Sequence, residues 1–152
     1  MSGPLSGLRV LDLTSVVLGP LATQTLGDMG ADIVKIEGPA GDTTRYTGPK
    51  RSRDMSALYM GLNRNKRSIV LDLKSNGGKE TAKALAAEAD VVIENFRPGV
   101  MDRLGLGHEV LRGLNKRLIC CSISGFGRHQ ARAGYDLVVQ GMGGIPALTG
   151  AP

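Results

Sequence analysis

Apolar positions along the chain gather into short, dense runs separated by longer mixed segments. The runs are Leu8–Leu13 (LRVLDL), Ala31–Glu37 (ADIVKIE), Ser68–Leu73 (SIVLDL), Asp90–Glu94 (DVVIE) and Arg117–Ile123 (RLICCSI). They are rich in β-branched residues and show little polar alternation. That pattern predicts strands covered on both faces, as in a parallel sheet. The segments between them predict helices. Pro20–Met29 opens with a proline, whose missing N–H is harmless in a first turn. Lys79–Ala89 is Ala-rich with Lys and Glu interspersed, a strong helix by propensity. His108–Leu114 is shorter, Val100–Leu104 adds a turn before it, and Tyr135–Met142 opens another helix. The alternation predicts an α/β fold, a doubly wound and mostly parallel sheet with right-handed crossovers.

Two segments break the alternation. Gly38–Met55 (GPAGDTTRYTGPKRSRDM) is much longer than an ordinary connection, and long loops in compact domains carry function or lack order. Ser124–Gly134 (SGFGRHQARAG) follows the last predicted strand. The chain stops at TGAP, in what reads as mid-loop, which predicts a truncated chain over 1–152.

Composition narrows the partners. Hydrophobic residues make up 41% and charged ones 22%, enough for a globular core. Aromatics are only 3%, against 22 glycines, which disfavours a base-stacking platform for single-stranded nucleic acid. The net charge of +5 favours anionic partners without choosing among them. Its source is local: between Arg45 and Arg67 stand seven cations (Arg45, Lys50, Arg51, Arg53, Arg64, Lys66, Arg67) and one acid, Asp54. Duplex DNA would call for a recognition helix carrying that charge. A loop and a strand entrance suit a small polyphosphate better, or a solvated basic face. No leader and no membrane-spanning apolar stretch stands out, so no membrane partner is expected. Cys120 and Cys121 are sequence neighbours in an apolar run, poorly placed to bridge, and predict buried thiols in a reducing, cytoplasmic compartment.

Ligands of doubly wound sheets bind at the carboxyl ends of the strands. After the first predicted strand comes TSVVLGP (Thr14–Pro20), which is neither a G-x-G-x-x-G turn nor a Walker A loop. After the fourth comes ENFRPG (Glu94–Gly99), where Asn95 and Phe96 offer an amide beside an aromatic, a sensible adenine or pantetheine contact. Arg103 follows on the next turn. AGYD (Ala133–Asp136) sets a phenol beside a carboxylate that could be a base, a nucleophile or a helix cap. His108 and His129 lack metal-ligand spacing and read as surface residues; no metal is expected.

The stretches PLSGLRVLDLT, GPLATQTLGDMGADIVKIEGPAGDTTR, NRNKRSIVLDLK, ADVVIENFRPGVMDRLGLG, LICCSISGFG and AGYDLVVQGMGG, in this order, resemble the class III CoA-transferases. This is the CaiB/BaiF family of formyl-CoA and carnitine CoA-transferases, which also includes α-methylacyl-CoA racemases. The resemblance covers nearly the whole chain. It implies the N-terminal, Rossmann-like CoA-binding part of a large domain, truncated before a small domain. It implies coenzyme A, bound as acyl-CoA, as substrate, a carboxylic acid as the second substrate, and an interlocked homodimer in the full-length protein. In such enzymes an aspartate attacks the thioester to give an aspartyl anhydride and then an aspartyl-CoA thioester, which the acceptor acid resolves.

Residue by residue, the resemblance implies that Val16, Val17 and Leu18 line the thiol end of CoA and the substrate. Leu71, Lys74, Asn95, Phe96 and Arg103 match the CoA-contacting stretch. Tyr59, Tyr135 and Asp136 match pocket residues near the acyl group, Asp136 as a supporting acid and not the nucleophile. The family's catalytic aspartate belongs to a motif beyond the end of this chain, so the chain alone is expected to be inactive. Cations around NRNKR would offset CoA phosphates or order the neighbouring loop. The 124–134 loop is shorter than the family's usual form and lacks its Gly-Pro pair. The racemase alternative calls for a histidine where Tyr135 stands, which favours transferase. A non-catalytic CoA-binding module is the remaining alternative.

Overall fold

The computed structural model describes residues 3–130, 132 and 134–150. Ala133 of the AGYD motif and the terminal Ala151 and Pro152 lie outside the described residues. Elements follow in the order β1 (Arg9–Asp12), α1 (Leu18–Asp28), β2 (Asp32–Glu37), a 3₁₀ turn (Thr43–Tyr46), β3 (Lys50–Ser52), β4 (Met55–Ser56) and α2 (Ala57–Asn63). Then come β5 (Lys66–Val70), α3 (Asn76–Glu88), β6 (Val91–Glu94), α4 (Val100–Arg103), α5 (His108–Leu114), β7 (Ile119–Ser122), α6 (Asp136–Met142) and α7 (Ile145–Thr149).

Five strands form one sheet in the order β5-β2-β1-β6-β7, every neighbouring pair parallel. The predicted α/β sheet is therefore present, and its order reverses between β1 and β6. That reversal opens a crevice at the carboxyl ends of those two strands. Alternation along β1 sorts the core into two layers. Leu11 and Leu13 pack with Ala82, Ala86, Leu111 and Val92 on one face, while Val10 packs with Ile33, Ile93 and Leu26 on the other.

Differences from the sequence reading have physical causes. Coverage on both faces holds for β1, β2 and β6, but β5 and β7 are sheet edges, with Val70 and Ile119 each 62% exposed. The predicted Ser68–Leu73 strand is β5, which begins two residues earlier at Lys66, whose side chain is buried against Asp12, and ends at Val70, with the Leu71 N–H still donating to the Glu37 carbonyl at 2.9 Å. Inside the long basic segment lie elements the apolar pattern did not announce: the β3–β4 hairpin and α2, whose Ser56 side chain accepts from the Tyr59 N–H. Cys120 is half-buried, where burial pushes its thiol pKa up, but Cys121 is exposed, since neighbours on a strand point to opposite faces.

Candidate functional site

The loop after β1 is held almost entirely by side chains from other elements. Asp12, fully buried at the end of β1, accepts from the Thr14 N–H at 2.8 Å and from the Thr23 hydroxyl of α1 at 2.6 Å. It also pairs with Lys66 at 3.0 Å, and that ammonium donates further to the Pro20 carbonyl and to Asn63. Asn95, just past β6, accepts from the Ser15 N–H at 3.0 Å and donates to the Ser15 carbonyl at 2.8 Å. This reciprocal pair ties together the two loops that flank the crevice. Val16 then adopts φ 72°, a left-handed conformation that costs a β-branched residue about 1–3 kcal/mol. Val16, Val17 and Leu18 all stand exposed beyond it. Gly19 lets α1 approach the loop, since a Cβ there would lie 2.4 Å from the Thr14 side chain.

The long loop after β2 is anchored by Glu37. Its carboxylate accepts from Arg45 twice at 2.7 Å, from Tyr59 at 2.8 Å, from Ser68 at 2.6 Å and from the Asp42 N–H at 2.9 Å. Burial pushes the Glu37 pKa up, but donation from Arg45, Ser68, Tyr59 and the Asp42 backbone outweighs it and holds the group at about 2. Arg45 also lies 3.8 Å over the Tyr59 ring and donates to its hydroxyl at 2.6 Å. Burial and the bond to Glu37 push the Tyr59 phenol well above its usual range.

Between these anchors opens a cleft of about 320 Å³ at the carboxyl ends of β1, β2 and β5. Thr14, Gly38–Pro39, Leu71–Lys74, Phe96, Val100 and Leu104 form most of its wall. The wall is largely apolar, and exposed Lys74 carries a cation there that has no carboxylate within salt-bridge distance among the described residues. Such a wall suits a flat or flexible organic body, and the lysine suits an anionic group attached to it. A second cleft, of about 310 Å³, shares Phe96 with the first and is lined by Arg97, His108, Ser122, Arg128 and His129 among others. His108 is half-buried there, with its Nε2 3.1 Å from the Ser122 hydroxyl.

Of the residues singled out from sequence, Leu71, Lys74 and Phe96 line the first cleft. Asn95 reaches it only through Ser15, its amide being occupied on both ends. Arg103 is exposed at the end of α4, its guanidinium close to Gly99, where a Cβ would be 3.2 Å away. Tyr59 is 6% exposed with its hydroxyl between Glu37 and Arg45, and it is not part of either cleft wall. Tyr135 is 62% exposed and accepts from Arg97 at 3.5 Å beside the second cleft. Asp136 is the first residue of α6 rather than its cap, and it accepts from Gln140 at 2.7 Å. Gly125 and Gly134 close the short loop before α6: a Cβ on either would fall 2.5 or 2.6 Å from the other's Cα.

The basic cluster resolves into separate tasks. Arg64 pairs with Asp28, Lys66 with Asp12, Arg67 with Asp32 and Arg45 with Glu37. These four serve the fold, whereas Lys50, Arg51 and Arg53 of the β3–β4 hairpin are exposed and have no carboxylate partner among the described residues. Sequence reasoning passed over Lys35, Glu37, Asp42 and Asp72. The signal for the first three was the length of the Gly38–Met55 loop, which needs internal anchors, with charged residues standing in the strand before it.

The chain is 49% identical to a succinate–glutarate CoA-transferase of Agrobacterium fabrum, covering 98% of this chain and 40% of that protein. It is also 49% identical to an acetyl-CoA:oxalate CoA-transferase of Acetobacter aceti, over 99% of this chain and 39% of the relative. The crystal structure of a CAIB/BAIF family protein from Brucella suis superposes with a TM-score of 0.91 at 47% identity, covering all of this chain and 42% of that one. The chain thus spans about 40% of the length of the curated relatives it matches. A family model matches residues 5–152, and the chain belongs to CoA-transferase family III.

Proposed function

We propose that the protein supplies the CoA-binding portion of an acyl-CoA:carboxylate CoA-transferase. The observation that carries this reading is the apolar cleft at the carboxyl ends of β1, β2 and β5, with Phe96 and Leu71 on its wall and Lys74 exposed beside them. The adenine and pantetheine of CoA suit the apolar wall, its phosphates suit Lys74, and exposed Arg103 at the end of α4 serves as a further contact to the cofactor. Family membership and the names of the relatives support the same reading.

In this reading Val16, Val17 and Leu18 flank the thioester end, and Tyr59, Tyr135 and Asp136 support the acyl side. Tyr59 acts through the Glu37–Arg45 anchor, and Tyr135 and Asp136 from the start of α6. The nucleophile is an aspartate outside residues 1–152. Its carboxylate adds to the thioester carbonyl and expels CoA thiolate, leaving a mixed anhydride. The thiolate then attacks the aspartyl carbonyl and releases the donor acid. The acceptor carboxylate attacks the aspartyl-CoA thioester, and the returning thiolate takes the new acyl group and frees the aspartate. The full-length protein acts as a cytoplasmic homodimer that needs no metal, with acyl-CoA and a carboxylic acid as its partners. The exposed apolar residues Leu137, Met142 and Leu148 of α6 and α7 support a covering surface there.

Calorimetric titration with CoA, beside a CoA-transfer assay on the full-length protein, tests the reading. Binding with transfer between acyl-CoA and a free acid is expected. Absence of both would overturn it.

A further inference from the structure

Four consecutive backbone groups leave β1, and each is held by a side chain of another element. Lys35 Nζ donates to the Thr14 carbonyl at 2.7 Å. Asn95 takes both the N–H and the carbonyl of Ser15. The Val16 N–H points at both carboxylate oxygens of Asp42, at 3.4 and 3.3 Å. Lys35 and Asp42 are themselves a salt bridge at 3.1 Å, with both side chains only 1% exposed. Thr44 completes the carboxylate's shell with its N–H at 3.0 Å and its hydroxyl at 2.8 Å.

A fully buried ion pair is a poor source of stability, because desolvating two charges offsets most of their attraction. What this pair does is geometric. Its lysine grips the peptide before Ser15 and its aspartate the peptide after it, and between them Val16 is held at φ 72°. A left-handed β-branched residue persists only where its surroundings over-determine it. Lys35 comes from β2 and Asp42 from the loop that Glu37 anchors through the Asp42 N–H, so the turn is registered against the cleft wall itself. We infer that Lys35 and Asp42 are positioning residues for the transfer step, holding the strained Thr14–Val16 turn so that Val16–Leu18 stand at the thioester end of the bound acyl-CoA.

This inference rests on the CoA-transferase reading, so the test separates the two. Hydrogen-exchange mass spectrometry and steady-state kinetics compare the full-length enzyme with its Lys35→Met/Asp42→Ala variant, which removes both charges and leaves no buried ion unpaired. Exchange over residues 13–18 is expected to rise at least ~10-fold, with α3 unchanged. The value of kcat should fall ~10- to 100-fold while KM for acyl-CoA moves less than ~3-fold, as for lost positioning rather than lost binding. Lys35→Met/Asp42→Asn, which also leaves no buried ion unpaired and keeps an amide oxygen for the Val16 and Thr44 N–H groups, should shift both readouts in the same direction by less, and it keeps the test open if the first double variant fails to fold. Unchanged exchange over residues 13–18, or kcat within about twofold of wild type, overturns the inference. A wild type that neither binds nor transfers CoA overturns the CoA reading alone, and the exchange result still decides whether the pair holds the turn.

Discussion

Asn95 and Ser15 lie eighty residues apart in sequence and face one another across the reversal point of the sheet, the Asn95 amide accepting from the Ser15 N–H and donating to its carbonyl. One half-buried side chain thus closes the backbone of the opposing loop at the floor of the crevice. An amide is required here, since a carboxylate could only accept and an ammonium only donate.

Asn95→Ala leaves both Ser15 groups without their partner. A loss of about 1–3 kcal/mol in denaturant-derived stability is expected, along with weaker CoA binding. Asn95→Asp keeps the acceptor and should recover only part of either. Wild-type stability and wild-type CoA affinity in Asn95→Ala would contradict the bridging role.

Glu37 makes stability depend on acid. Its folded pKa of about 2 lies below the ordinary value of 4.5, so its stabilisation is fully present above pH 4.5 and is lost as pH falls toward 2. The 4.5-to-2 difference corresponds to on the order of 3 kcal/mol. Acid titration of wild type against Glu37→Gln, followed by circular dichroism, should show a shallower loss between those pH values in the variant. Equal slopes would argue against this group.

Gly19 and Gly61 should respond oppositely to alanine. At Gly19 the new methyl meets Thr14 at 2.4 Å, and a loss of about 1–3 kcal/mol is expected from overpacking. Gly61 sits on the exposed side of α2 with nothing within 4 Å, so Ala should stabilise by roughly 0.5–1 kcal/mol. Thermal melts of the two variants decide this, and a destabilised Gly61→Ala would show that α2 tolerates no added side chain.

Lys74 and Arg67 separate ligand charge from structural charge. Lys74→Ala should weaken CoA binding roughly 5- to 20-fold, with a smaller penalty at high salt. Arg67→Ala, which removes only the exposed pair with Asp32, should change affinity less than about twofold. Calorimetry at two ionic strengths distinguishes them, and equal effects would return the strand-entrance cations to the ligand.

Local chemistry made the frame readable. The apolar runs around Val10, Ile33, Val92 and Cys120 each gave a strand of the parallel sheet, and Pro20, Ser75 and the alanines of α3 suited the helices found there. The same local view set Lys66 and Arg67 at a strand entrance as cations for CoA phosphates or the neighbouring loop, because their partners Asp12 and Asp32 are remote in sequence. It also passed over Lys35 and Glu37, which a period-based reading treats as polar interruptions of a strand.

The sequence by itself determined the five strands of the parallel sheet, the helices α1, α3, α4, α5 and α6 between and after them, and the family, since each depends on short-range patterning or on motifs kept in order along the chain. Tertiary structure decided which charges are free. A lysine in a strand is indistinguishable from a surface cation until folding brings Asp12 or Asp42 within about 3 Å, and burial makes that pairing obligatory. It also decided that Val16 is strained, because its left-handed turn is imposed by Asp42 and by the neighbouring grip of Asn95 on Ser15 rather than by any preference of valine.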